Sequence, residues 1–197
     1  MTACVRYRAS LCSLTGTMPP SLEGALSDTF LLGTAEHGLQ YVRASTDRRN
    51  VAYRVLVCEG SEVEQQACSL VRQAREGLPE GHRAILFCRS RATCERVAKD
   101  LGCRPYHSKS EEKEASLAAW IDGQEKVMVA TSALGTGVDV ASVRVVVHLG
   151  RPHGVVDFVQ EVGRAGRNNE PVESVVVIGR REVELVQSED GSHRDWN

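Results

Sequence analysis

The 197 residues are 42% hydrophobic and 25% charged, with a formal net charge of −2, the balance of a soluble globular chain long enough for one sizeable core. Its apolar runs are far too short to span a bilayer, and Arg6 and Arg8 break the stretch where a secretory leader needs an apolar core. Near-neutral charge excludes a uniformly basic nucleic-acid coat but not a local basic groove. The seven cysteines (Cys4, Cys12, Cys58, Cys68, Cys88, Cys94 and Cys103) are scattered without a C-x-x-C pair, which predicts reduced, buried thiols in an intracellular compartment rather than a zinc cluster.

In chain order, residues 5–14 read as a strand running into Pro19–Pro20, where two prolines set a boundary. Ser21 is placed to cap a helix that ends at Gly33. Leu39–Val42 and Val51–Val57 read as strands flanking a basic turn with Arg43, Arg48 and Arg49. Ser61 with Glu64 forms a capping box ahead of Val63, Ala67, Leu70, Val71 and Ala74 at helical spacing, and Gly77 and Pro79 close that helix. Ala84–Cys88 is all apolar, as in a strand buried on both faces. Ser90 caps a helix with Cys94, Val97, Ala98 and Leu101 along one stripe.

Further on, Arg104–His107 is a short strand and Ser110–Asp122 a helix with acids in its first turn. Lys126–Ala130 and Val143–His148 are strands, Val155–Val162 a helix, and Val172–Ile178 a last strand before a polar C-terminal segment. Strands alternating with short helices predict βαβ units around a parallel sheet.

In an open parallel sheet, ligands collect beyond the carboxyl ends of the strands. The residues found there are Arg89 and Ser90, His107, Thr131 to Asp139, and Gly150 to Pro152. In Gly-Arg-Ala-Gly-Arg, Gly163 and Gly166 each give up about 1 kcal/mol relative to Ala in a helix, so the segment favours close backbone approach over local stability. Arg164 and Arg167, spaced i and i+3, present two guanidinium forks suited to a polyphosphate; the plain alternative is a solvated basic turn. The hydroxyls of Thr131 and Ser132 can meet a phosphate of a passing strand, although Thr131 can equally cap the next segment. Asp139, behind the flexible Gly135-Thr136-Gly137, can accept from a ribose or close a local Asx turn.

Taken together, VMVATSALGTGVDVASVRVVVHLGRP followed by QEVGRAGR resembles motifs V and VI of superfamily-two helicases, with H-x-x-x-P and Q-E-x-G-R-A-G-R details similar to the RecQ branch of 3′–5′ DNA helicases. AILFCRSRATCERVAKDLG resembles that family's motif IV, Tyr106-His107 its Tyr-His step, VRASTDRRNVAYRV its Arg-Asn-x-x-Tyr lead-in strand, and SLTGTMPP its motif III. The resemblance implies an α/β fold: a RecA-like three-layer domain with a mostly parallel sheet flanked by helices, the second lobe of the enzyme. It implies a remnant of the first lobe over residues 1–20, a connecting helix and strands over 21–60, the helicase C-terminal domain over 61–190 and a polar tail over 191–197.

By the same resemblance Arg164 and Arg167 reach the γ-phosphate, with Arg167 as arginine finger, and Gln160, Gly137 and Asp139 lie at the nucleotide. Thr131, Ser132, Arg89 and His107 are placed along the nucleic-acid backbone. The implied cofactor is ATP with Mg²⁺, whose ligands are expected on a first lobe. Implied partners are single-stranded or forked DNA and a first RecA-like lobe, in cis or in trans, with no membrane and a nuclear or chromosomal location.

The departures are specific. No G-x-x-x-x-G-K-[ST] loop and no Asp-Glu-x-His box occurs in the chain, so the lysine and acids that hold ATP and Mg²⁺ are not encoded in it. No cysteine follows Cys103, which leaves out the zinc subdomain. Leu134, Thr136 and Asn168-Asn169 replace the usual Phe, Met and Asp-Gly. The expectation is therefore the second lobe of a RecQ-like helicase, as a fragment or truncated product; the alternative is a helicase-derived interaction module without catalysis of its own. A Rossmann-type dehydrogenase is disfavoured because no G-x-G-x-x-G turn is present.

Overall fold

A computed structural model describes residues 20–30, 42, 47–134, 140 and 142–190. The chain divides into two units, Met1–Asp47 and Arg48–Asn197. In the first, a 3₁₀ turn at Pro20–Leu22 leads into α1 (Glu23–Phe30), so Ser21 lies inside the turn rather than capping the helix. The expected strands at 5–14 and Leu39–Val42 fall on or against residues outside those described.

The second unit carries β1 (Val51–Cys58), α2 (Val63–Gly77), β2 (Arg83–Cys88), α3 (Arg91–Leu101), β3 (Pro105–Tyr106), α4 (Lys113–Ile121), β4 (Val127–Ala130), β5 (Val143–Leu149), α5 (Val155–Val162), β6 (Val172–Gly179) and α6 (Arg180–Asp190). The strands form one six-stranded sheet in the order β1-β6-β5-β2-β4-β3, and every pairing is parallel. This is the expected RecA-like sheet flanked by helices.

Side-chain alternation along each strand splits the interior into two clusters. Ala84, Leu86 and Cys88 of β2 point toward α2 and α3 and join Val71, Val97, Val129, Val147 and Val177. Ile85 and Phe87 point the other way and join Trp120, Met128, Val146, Val162 and Ala165. A fully buried aliphatic or aromatic side chain contributes about 1.5–3 kcal/mol, so each cluster alone outweighs any single polar contact in the unit. On the second side the outer strand is less covered, and Tyr53, Val55 and Val57 remain exposed.

Local signals were honoured unevenly. Ser90 caps α3 as expected, accepting from the Thr93 amide at 3.1 Å, and Gly102 closes it at φ 64° because a left-handed residue frees its amide for the last carbonyls. Ser61 does not cap α2: the capping position is Glu62, with no side-chain cap bond. The helix expected from Ser110 begins at Lys113 because Ser110 is committed to the preceding turn, its hydroxyl donating to the Pro105 carbonyl at 2.9 Å. The segment after β6 forms α6 rather than a polar extension.

Topology places the site. From β2 the chain crosses through α3 toward β3 on one side; from β5 it crosses through α5, over the opposite face, to β6 on the other. β2 and β5 are neighbours, so the carboxyl ends of this pair form a switch point where the two crossovers diverge and a crevice opens.

Candidate functional site

The crevice holds about 810 Å³ and is lined by Arg89, Thr93, Arg96, Gly150, Arg180 and Glu182 among others. Its cations differ in availability. Arg96 is tied to Glu64 through its Nε at 2.9 Å and a second bond from Nη2, and Arg180 donates to Glu59 at 3.2 Å. Arg89 has no hydrogen bond or ion pair among the described residues. Its stem runs against Gly150, where φ is 83° and an added Cβ would sit 3.6 Å from Arg89 Cδ.

Beside Arg89, the loop after β4 presents Thr131 and Ser132. Thr131 is buried and its hydroxyl accepts from the Ala133 amide at 3.3 Å, the local turn that was its alternative reading; Ser132 is exposed. His107 is buried, with Nε2 3.0 Å from Glu95 and Nδ1 accepting from the Lys109 amide at 3.2 Å, so both ring nitrogens are engaged within the protein. Gly137 and Asp139 lie outside the described residues.

The arginines occupy a turn rather than a helical face. α5 ends at Val162, where the Gly163 amide closes on the Val159 carbonyl at 2.8 Å, and the chain reverses at Gly166 with φ 60°. That glycine has no substitute: a Cβ there would fall 2.5 Å from Val172 Cγ2 and 2.6 Å from Asn50 Nδ2. Arg164 is half-buried, and its Nε has no partner although enclosed. Burial, then the Arg167 charge, depress its affinity for a proton, while Glu161 opposes them. Two guanidinium groups close enough to repel, one with an orphaned donor, form a site that gains from an incoming anion. Arg167 and Gln160 are exposed beside it.

Beneath the turn lies a pair that the quoted motifs contain but to which the residue pattern gave no site role. His148 at the end of β5 stacks on Phe87 (centroids 5.3 Å, planes at 17°) and tilts against Phe158. Its Nε2 is 3.0 Å from Glu161 Oε2, and both residues are buried. His148 Nδ1 has no protein partner, and the ring borders a cavity of about 10 Å³ shared with Arg89, Ser132 and Glu161, room for about one water molecule.

Above the turn, Arg48 donates to the carbonyls of Val162 (3.3 Å), Ala165 (2.5 Å) and Gly166 (3.0 Å), and Asn50 to those of Gly166 (2.9 Å) and Glu170 (2.8 Å). The Arg-Asn-x-x-Tyr pattern, Arg49 to Tyr53, contains Asn50 but not Arg48, and it gave no sign of where either side chain points. Among the described residues no three His, Cys, Asp or Glu side chains are grouped to hold a metal ion, and no helix is long and apolar enough to cross a membrane.

Residues 65–169 match the helicase conserved C-terminal domain. The chain is 32% identical over 139 residues to an ATP-dependent DNA helicase RecQ of Pasteurella multocida, covering 67% of this chain and 21% of that protein. It is 27% identical over 188 residues to the pre-mRNA-splicing ATP-dependent RNA helicase PRP28 of Chaetomium globosum, covering 92% of this chain and 26% of that protein. Among solved structures, Saccharomyces cerevisiae Dbp5 L327V bound to RNA and ADP BeF3 superposes with a TM-score of 0.69 at 14% identity, over 93% of this chain and 49% of that one. The chain spans about a fifth of the length of the curated relatives that it matches.

Proposed function

The chain belongs to the helicase conserved C-terminal domain family, and from that premise we propose that it is the second RecA-like lobe of an ATP-dependent 3′–5′ DNA helicase of the RecQ type. The observation that carries the reading is the arginine turn, where Arg164 and Arg167 crowd together with an unpartnered buried donor. The residues fit the triphosphate end of ATP. They do not fit its Mg²⁺, for which no ligand cluster stands among the described residues, so Mg²⁺ is assigned to a first lobe along with the phosphate-binding loop.

Phosphoryl transfer asks little covalent chemistry of a protein and much positioned positive charge. Arg167, exposed at the tip of the turn, is assigned as the arginine finger that meets charge developing on the γ-phosphate. Arg164, held further in, fixes the phosphate's orientation, and Gln160, Gly137 and Asp139 are assigned to the nucleotide.

Arg89 and Ser132, at the switch point, are assigned to the phosphates of a single or forked DNA strand. Thr131 is assigned there through its hydroxyl, which accepts from the Ala133 amide and keeps its own proton to donate, since its backbone amide is taken by the Tyr106 carbonyl; His107 stays in the set only as a support, since both its ring nitrogens are occupied. A nuclear or chromosomal location follows from the same reading.

The absence of a phosphate-binding loop from the chain favours a second reading, a module that binds nucleic acid or protein without hydrolysing ATP. The test joins the chain to a first lobe bearing that loop and measures single-strand-stimulated ATP hydrolysis. Arg167→Ala should lower kcat by about 10³-fold or more with KM for ATP little changed, and the chain alone should show no turnover. Equal turnover with and without Arg167 sinks the arginine-finger role, and turnover by the chain alone sinks the lone-lobe reading.

A further inference from the structure

Arg48 and Asn50 stand at the foot of β1, far from α5 in sequence, yet both side chains aim at one distant turn. Their five hydrogen bonds end on the carbonyls of Val162, Ala165, Gly166 and Glu170, which bracket Arg164 and Arg167 on both sides. The last carbonyls of a helix lack intrahelical donors. A guanidinium supplies several donors in a rigid plane where a lysine supplies one point charge, and Arg48 uses that plane to span the α5 end and the reversal at once. Gly166 belongs to the same device, because any side chain there would collide with the Asn50 amide at 2.6 Å.

Building on the reading of Arg164 and Arg167 as phosphate-binding groups, we propose that Arg48 and Asn50 are positioning residues for ATP hydrolysis, fixing the turn so that both arginines project in one direction. A guanidinium at the carbonyl end of a helix is favourable in itself, so the assignment rests on where the five bonds end: every carbonyl they reach lies within four residues of Arg164 or Arg167.

The test has two arms. In the 197-residue chain, amide hydrogen exchange is followed by NMR for wild type, Arg48→Lys, Arg48→Met and Asn50→Leu. The Ala165 and Gly166 amides should exchange about tenfold faster or more in each variant, while Leu86 and Val71 across the sheet keep their protection. In the chain joined to a first lobe, the same variants should lose about 10²-fold in kcat with KM for ATP nearly constant. Arg48→Lys should fall with Arg48→Met, because charge without the fork does not rebuild the clamp.

Unchanged turn exchange, or exchange that rises equally at Leu86 and Val71, overturns the proposal. So does an unaltered kcat in variants whose turn has loosened. If no variant folds, the wild-type chain decides: Asn50 side-chain amide protons and Arg48 guanidinium protons protected from exchange support the clamp, and unprotected ones refute it. An inert Arg167→Ala overturns the reading of the arginines and leaves the exchange arm standing, so the two failures are distinct.

Discussion

On the side of the sheet facing α2 and α3, the strands bury Ala84, Leu86, Val129, Val147 and Val177, joined by the thiols of Cys68, Cys88 and Cys94. On the side facing α4 and α5, the same strands bury His148 against Glu161, Ser174 beside Val146 in register, and Arg83, which donates to the carbonyls of Gly81, Trp120 and Ile121. The first side is settled: burial pushes the Cys68 thiol up to about 11 and that of Cys103 to about 12, so neither carries charge near neutrality. The second leaves Trp120 Nε1, His148 Nδ1, Arg164 Nε and Ser174 Oγ without partners. Buried polar groups are expected to be satisfied, and their concentration on the α4 and α5 side marks the face where stability was given up for a site.

The largest effect that tests this division comes from cutting the settled face. Leu86 is fully buried, and Leu86→Ala should lower unfolding free energy by about 2–5 kcal/mol, read as a fall in the urea midpoint. Exchange at the Gly166 amide, scaled to the folded population, should stay as in wild type. If that amide loosens in step with the core, the two faces are one cooperative unit and the division is wrong.

How much of this could be read from the sequence follows the same line. The α2 and α3 side was legible because apolar periodicity is a local signal: Val63, Ala67 and Val71 mark one face of α2, and Ala84–Cys88 reads as a strand buried on both faces. Arg164 and Arg167 stood out in the sequence because two guanidinium forks between glycines are chemically pointed. Arg48 and Asn50 acquire their roles only when β1 is brought to the end of α5, across a separation that no window of sequence holds, and His148 meets Glu161 only when α5 folds back on β5. α6 escaped because RREVELVQSED has few apolar positions and starts directly from β6, without the loop and capping residue that announce a helix.

A smaller effect of the opposite sign is expected from the buried pair. Replacing both members by apolar groups, His148→Phe with Glu161→Leu, keeps a ring stacked between Phe87 and Phe158 and removes two polar groups from the interior. Such exchanges are often neutral or stabilising by about 1–4 kcal/mol. The double variant should therefore melt no lower than wild type, while Glu161→Leu alone, which strands His148 Nε2, should melt lower. In the ATPase assembly the stable double variant should still lose activity, because the α5 end no longer rests on a fixed polar contact. Full activity in a stabilised double variant would show that these polar groups are incidental to the site.

The smallest effect belongs to the crevice rim, where Glu64 and Arg96 pair in solvent with side chains 37% and 59% exposed. The hydrogen bond from Arg96 holds the Glu64 carboxyl below its ordinary value of 4.5, with partial burial opposing it. A depressed folded value means the stabilisation is present above pH 4.5 and is lost as pH falls through the lowered one. Because the pair is exposed, solvent screens most of it: Glu64→Gln should lower Tm at pH 7 by about 1 °C or less. That difference should shrink as pH falls through the lowered value, and it should also vanish at pH 7 in 1 M salt, where screening acts over about 3 Å. The buried His148–Glu161 contact should ignore the same salt step. A Glu64→Gln deficit of several degrees that persists in 1 M salt would place this pair within the packed interior, and the crevice would then share the settled character of the α2 and α3 face instead of being an open, charge-screened mouth to the site.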